Sequence, residues 1–259
     1  MIKKLIFVST IACLVSLPLS AKVCKKTNRD KSTVSYVVHD GNCNGGKKDG
    51  NYISRYPNAE LKEEGEYKNG LRVGVWKTYY ENGDRKSYVK YVNGTMQGVK
   101  ETYFKGGATH TIEPITDGVL NGKYKRYYPN EKLFIDCFYK DGKKNGLEKK
   151  YYENGNIKSE IFFINNKMDG TKTTYWENGN LSALESIKNN ILDGVAKAFY
   201  KDGTLRRETV YKNGQKDGLD KFISAYETIE IIYQNGQECS YKKFKDGKLF
   251  KERENQCTK

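Results

Sequence analysis

The chain has 259 residues, a formal net charge of +14 and 30 % charged side chains. Low mean hydropathy with so much charge admits disorder, but 21 tyrosines and 10 phenylalanines supply apolar area that disordered chains lack. After residue 21 no stretch has the about 20 apolar residues that a helical membrane span needs.

Residues 1–21 read as a secretory signal peptide. Lys3 and Lys4 precede an apolar run from Leu5 to Leu17, and Pro18 to Ala21 form a small-residue cleavage region. Cys13 as a lipidated residue is the competing reading, and Thr10-Ile11-Ala12-Cys13 matches that pattern poorly. The expected protein is therefore exported: periplasmic, cell-surface or secreted. Cleavage after Ala21 removes two lysines and no acids, so 14 − 2 leaves a net charge of +12. Export argues against nucleic acid as the main partner. Anionic surfaces, phospholipid headgroups and acidic glycans remain open, as does the plainer reading that the lysines only provide solubility.

Residues 22–46 form an expected N-terminal cap. Cys24 and Cys43 lie in it, and Cys239 and Cys257 lie near the other end. Export permits disulfides, so the expected pairs are Cys24–Cys43 and Cys239–Cys257, each worth about 3 kcal/mol as a loop closure. Sequence alone leaves other connectivities open. Cys137 is expected to be a buried small hydrophobe.

From residue 47 a 24-residue period takes over. Gly50, Gly74, Gly98, Gly122, Gly146, Gly170, Gly194 and Gly218 recur every 24 residues. Such a period is the mark of a repeat array. With Lys47 as position 1 and these glycines at position 4, residues 47–236 hold eight copies, the last shortened by two. Two turn signals recur in each copy. Asn82-Gly83, Asn154-Gly155, Asn178-Gly179 and Asp202-Gly203 lie at positions 12–13, and Asn69-Gly70, Asn93-Gly94 and Asp141-Gly142 at positions 23–24. Both read as two-residue hairpin turns with positive φ at each residue. Two strands per copy follow, at about positions 4–11 and 15–22, with no helix. The expected fold is all-β: an elongated, twisted antiparallel meander of stacked hairpins, about 75 Å long at about 4.8 Å per strand. Residues 237–259 read as a degenerate ninth repeat and a C-terminal cap.

Alternation assigns the faces. Positions 15, 17, 19 and 21 are expected on the core side, with positions 16, 18 and 20 on a polar one. Position 10 is aromatic in seven copies, from Tyr56 and Tyr80 to Trp176 and Tyr200, and is expected in the core. Position 9 carries Tyr79, Tyr103, Tyr127, Tyr151, Tyr175 and Phe199, and position 7 carries Lys77, Lys125, Lys149, Lys197 and Lys221. These define a candidate binding strip on the opposite face. The alternative is that position 9 packs against neighbouring repeats.

Tyr79 to Asn82, Tyr151 to Lys158 and Tyr175 to Leu181 carry a Tyr-(Tyr/Trp)-Glu-Asn-Gly motif that resembles the MORN repeat variant of YwqK-type bacterial proteins. The resemblance covers about residues 47–250. It implies a scaffold that binds a protein or a cell surface; relatives labelled as antitoxins imply capture of a toxin, and the MORN name itself implies contact with anionic phospholipid headgroups.

Catalytic patterns are missing from the sequence. His39 and His110 are isolated, and Glu81, Glu153 and Glu177 sit beside turns. No metal-ligand spacing, phosphate loop or nucleophile motif occurs. The expectation is a non-enzymatic protein without cofactor or metal.

Overall fold

The computed structural model describes residues 37–39, 47–255 and 257. The expected signal peptide, most of the expected N-terminal cap, His39's side chain and the expected Cys24–Cys43 pair lie outside the described residues. Within them the chain is one 22-stranded antiparallel sheet without a helix. Strands pair in chain order, except that the two-residue strands Val119–Leu120, Lys143–Lys144 and Lys167–Met168 and the strand following each pair side by side with the same preceding strand. Val37–His39 pairs only with Gly50–Arg55, and Lys248–Glu254 only with Gln237–Lys245, so the sheet is open and not closed into a barrel.

The two turns of each repeat differ in kind. At positions 23–24 both residues are left-handed, as in Asn69 (φ 52°) and Gly70 (φ 82°), which is the type I′ geometry expected. Asn165-Asn166 and Asn189-Asn190 adopt it without glycine. At positions 12–13 position 13 is left-handed and position 12 is not, as with Gly83 (φ 87°) after Asn82; the third repeat differs, with Gly106 (φ 93°) and Gly107 (φ 90°) both left-handed. Gly83 N donates to Tyr80 O (3.0 Å) and Tyr80 N to Asp84 O (2.8 Å). That is a type I turn followed by a left-handed bulge residue, so the two-residue turn expected there is corrected. Ala59 (φ 68°) and Glu131 (φ 62°) occupy the same left-handed position without being glycine. Glu131→Gly should therefore raise stability by about 1 kcal/mol, read as a higher urea midpoint with an unchanged slope.

The bulge has a second effect. Thr78 faces Ser87 and Tyr79 faces Arg85, leaving Lys86 unmatched. One extra residue moves position 15 to the opposite face and position 16 to the core side. Arg85 accordingly sits over the Tyr103 ring, 6.0 Å from its centroid, on the face of position 9. Lys86 instead lies over Tyr80 and His110 against Phe104. The expectation that position 15 shares a face with 17, 19 and 21 is overturned for that reason.

The most buried column is the cross-strand pair of positions 6 and 19, which alternation alone did not single out. Tyr52, Trp76, Val89, Cys137 and Ile161 are buried there, joined by Ile115 and Ile187 at position 21. At the N-terminal end Trp76 packs edge-on against Tyr67 (4.9 Å) and Tyr91 (6.2 Å). Arg72 covers it at 4.0 Å. Position 10 is half-buried instead. Its hydroxyl reaches forward to the position 9 carbonyl of the next repeat, from Tyr56 to Tyr79, Tyr80 to Tyr103 and Tyr128 to Tyr151, each at 2.8 Å. These bonds tie each hairpin to the next and hold the two faces in register along the array.

Candidate binding face

The face opposite this core column is the outer face, and it carries the predicted strip. Positions 7 and 18 face each other across every strand pair, so their side chains form one continuous row. From the fourth repeat onward it reads Lys125, Asp136, Lys149, Glu160, Thr173, Leu184, Lys197, Glu208, Lys221, Glu230, Lys242 and Glu252. Charge alternates along it except at the Thr173–Leu184 gap.

The strip residues are all present on this face, and all are half-buried: Tyr79, Tyr103, Tyr127, Tyr151, Tyr175 and Phe199 with Lys77, Lys125, Lys149 and Lys197. The lysines are not a bare cationic line. Lys77 pairs with Glu64 (3.0 Å), Lys149 with Glu160 (2.7 Å) and Lys197 with Glu208 (3.1 Å). Asp136, opposite Lys125, pairs with Lys123 at 3.2 Å. Two tyrosines add to the same carboxylates: Tyr79 donates to Glu64 (2.7 Å) and Tyr175 to Glu160 (3.0 Å). The Tyr79 hydrogen bond, helped by Lys77, holds the Glu64 carboxyl below its usual range. Burial and the same Glu64 push the Tyr79 phenol up to about 12. Glu64 is thus gripped by a lysine and a phenol of one neighbouring strand, and Glu160 by a lysine from the strand before it and a phenol from the strand after it.

Beside this row lies a second one that the sequence reading missed. Positions 5 and 20 face each other and carry exposed apolar side chains: Phe138 (46 %), Leu147 (44 %), Phe162 (44 %) and Ile232 (41 %). Val75, Val99 and Val195 extend it. The expectation that position 20 is polar holds only in the first two repeats, where it is Glu66 and Lys90, and at Ser186. From the third repeat it is Pro114, Phe138, Phe162, Ser186, Val210 and Ile232, a change that tabulating each column would have exposed.

The inner face has polar features of its own. A cavity of about 460 Å³ lies over the second and third repeats, lined by Ser87, Lys100, Thr102, His110, Thr111 and Glu113 among others. Its groups close on one another. Thr102 bonds Thr111 (2.6 Å), Thr111 donates to Glu113 (2.7 Å), and Lys100 pairs with Glu113 (2.8 Å). Burial lowers the His110 pKa, with Arg126 adding to the effect. Farther along, Glu148 is buried between Lys144 and Lys150. Cys137 is buried with a free thiol, which burial and Glu148 push up to about 12. That is the protonated small hydrophobe expected of it. Cys239 and Cys257 are joined as expected, with Cα atoms 5.2 Å apart. Among the described residues no group of three or more His, Cys, Asp or Glu side chains is placed to hold a metal.

A family model described as MORN repeat variant matches residues 72–93, 120–141, 144–165, 168–189 and 192–213. Each match covers positions 2–23 of the 24-residue unit, so the family's period and phase are those of the observed hairpins. The third repeat, which contributes Lys100, His110 and Glu113 to the inner cavity, falls between matches. A search of curated proteins finds no match. Five of the 24-residue units between residues 72 and 213 thus match the MORN repeat variant.

Proposed function

We propose that this is an exported, non-enzymatic scaffold that binds a protein partner through its outer face. The observation that carries the reading is the row of exposed apolar side chains at positions 5 and 20, centred on Leu147 and Phe162. Exposed apolar side chains aligned in one row, rimmed by polar groups, are the usual mark of an interaction surface. The flanking lysines already pair with Glu64, Glu160 and Glu208. A surface of alternating charge suits a protein better than a polyanion or an anionic lipid surface, which would need unpaired cations. Repeats of this kind offer such faces because each unit adds the same columns at the same spacing. The finer likeness to YwqK-type proteins rests on the Tyr-Glu-Asn-Gly motifs, and export rests on residues 1–21.

Immobilised protein exposed to cell-envelope extract tests this. The double variant Leu147→Glu/Phe162→Glu should lose the proteins captured by the parent while keeping its stability within about 0.5 kcal/mol, as exposed substitutions do. An inner-face control, Thr102→Ala, should keep them. Capture that survives the outer-face variant and fails in the control would place binding on the other face.

A further inference from the structure

We propose that one occupant of the outer face is a second copy of this chain, packed face to face about a two-fold axis that runs parallel to the strands between Leu181–Lys188 and Ile191–Phe199. The inference rests on the binding role just assigned to that face. A two-fold along the strand direction exchanges strands on either side of the axis and keeps each column opposite itself. A row of alternating sign is then complementary to itself only if the axis falls between two strands, where odd members meet even ones.

The position 7/18 row meets that condition at this axis. Counting strands outward, Glu160 comes opposite Lys221 of the second copy, Lys149 opposite Glu230, Asp136 opposite Lys242 and Lys125 opposite Glu252. No like charges meet. Nearest the axis Leu184 comes opposite Lys197 and Thr173 opposite Glu208, so no two charges meet there. The same operation pairs the apolar row in part: Phe162 faces Leu219 and Leu147 faces Ile232, while Phe138 comes opposite Ser240. Moving the axis between Asp136 and Lys149 sets Phe162 against Lys123 and Leu219 against Glu66, and moving it one strand, between Thr173 and Leu184, sets Glu101 against Glu252, so the apolar and charged rows together favour the first placement. Twelve strands at about 4.8 Å and two side-chain rows about 7 Å wide each give about 800 Å² per copy, the size of a standard specific interface. Sheets packed this way lie about 10 Å apart with strands nearly aligned.

Sedimentation equilibrium of the purified protein tests it, with circular dichroism to confirm that each variant is folded. The parent should form a dimer. Glu160→Lys and Lys221→Glu should each weaken it about tenfold or more, because each substitution sets like charges together twice across the axis. The double variant Glu160→Lys/Lys221→Glu should recover most of the loss. Within one chain these residues are five strands apart, about 24 Å, so only contact between copies can couple them. A parent that stays monomeric across the concentration series, or a double variant no better than either single one, overturns the proposal. If the parent is monomeric and Leu147→Glu/Phe162→Glu still abolishes capture of another protein, self-association fails and the outer-face reading stands.

Discussion

Trp76→Ala is expected to lower stability by about 4 kcal/mol, the largest effect of any single truncation in the array. Trp76 is 1 % exposed and joins Tyr52, Tyr67, Tyr91 and Arg72 in one cluster. Gly65 is the other half of that fit. It occupies position 19, where other repeats carry Val89, Cys137 or Ile161, and it is not left-handed. A Cβ there would lie 2.3 Å from Trp76 Cδ2 and 2.4 Å from Cε2. The glycine is required by the indole and not by the backbone. Gly65→Val in the parent should cost about 3 kcal/mol by overpacking. In the Trp76→Ala background the same substitution should reverse sign and recover part of the loss, since it fills the vacated space. Urea unfolding of the two single variants and the double variant measures this; additive losses would show that Gly65 and Trp76 are not coupled.

Acid should weaken the C-terminal repeats through Asp220. Arg207 reaches it with two bonds of 2.8 and 2.7 Å, Lys216 with one of 2.5 Å and Thr209 with one of 2.8 Å. Burial alone would raise its pKa, but these donors outweigh burial and hold the carboxyl at about 2. A depressed carboxyl stabilises the fold above its unfolded value near 3.8 and ceases to do so as pH falls through 2. The lowering corresponds to about 2 kcal/mol, lost between about pH 4 and pH 2. Asp220→Asn should cost about 3 kcal/mol at neutral pH, because Arg207 and Lys216 keep their charges without the acid that pairs them. The same variant should flatten the stability profile over that acid window. Hydrogen exchange resolved by repeat is the suitable readout, since losses in a linear array begin in the affected units. An unchanged acid slope in the variant would assign the acid sensitivity to other carboxylates.

Much of the architecture was legible because glycine and asparagine report backbone conformation directly. Asn69-Gly70 and its equivalents fixed one hairpin turn, and their spacing fixed strand number and direction. The failures share a cause. Alternation assumes an unbroken pleat, and the bulge after Thr78 breaks it, so Arg85 and its equivalents cross to the other face. The glycines of position 4 hide a similar event. Between the pairs Val73↔Glu66 and Lys77↔Glu64 the first strand has two more residues than its partner, and Gly74 takes a φ of 66° to allow it.

The strip of positions 7 and 9 was legible as a row and misjudged as a charge. Counting lysines along one column ignores what stands opposite, and Glu64, Glu160 and Glu208 stand opposite. Cross-strand register decides that pairing, and sequence gives register only once both turn types are known. The apolar row went unseen for a simpler reason: its first members, Asn51 and Glu66, are polar, and its apolar character begins farther along.

Thiol labelling of two adjacent single variants, Ile161→Cys and Phe162→Cys, is the most direct test of the division into a packed inner face and an available outer one. Ile161 is 8 % exposed and Phe162 is 44 % exposed, on opposite sides of one strand. In dilute protein the Phe162→Cys thiol should react with a maleimide at close to the rate of a free thiol, and the Ile161→Cys thiol only as fast as the strand opens. Equal rates, or faster reaction at position 161, would contradict the face assignment on which the binding surface depends.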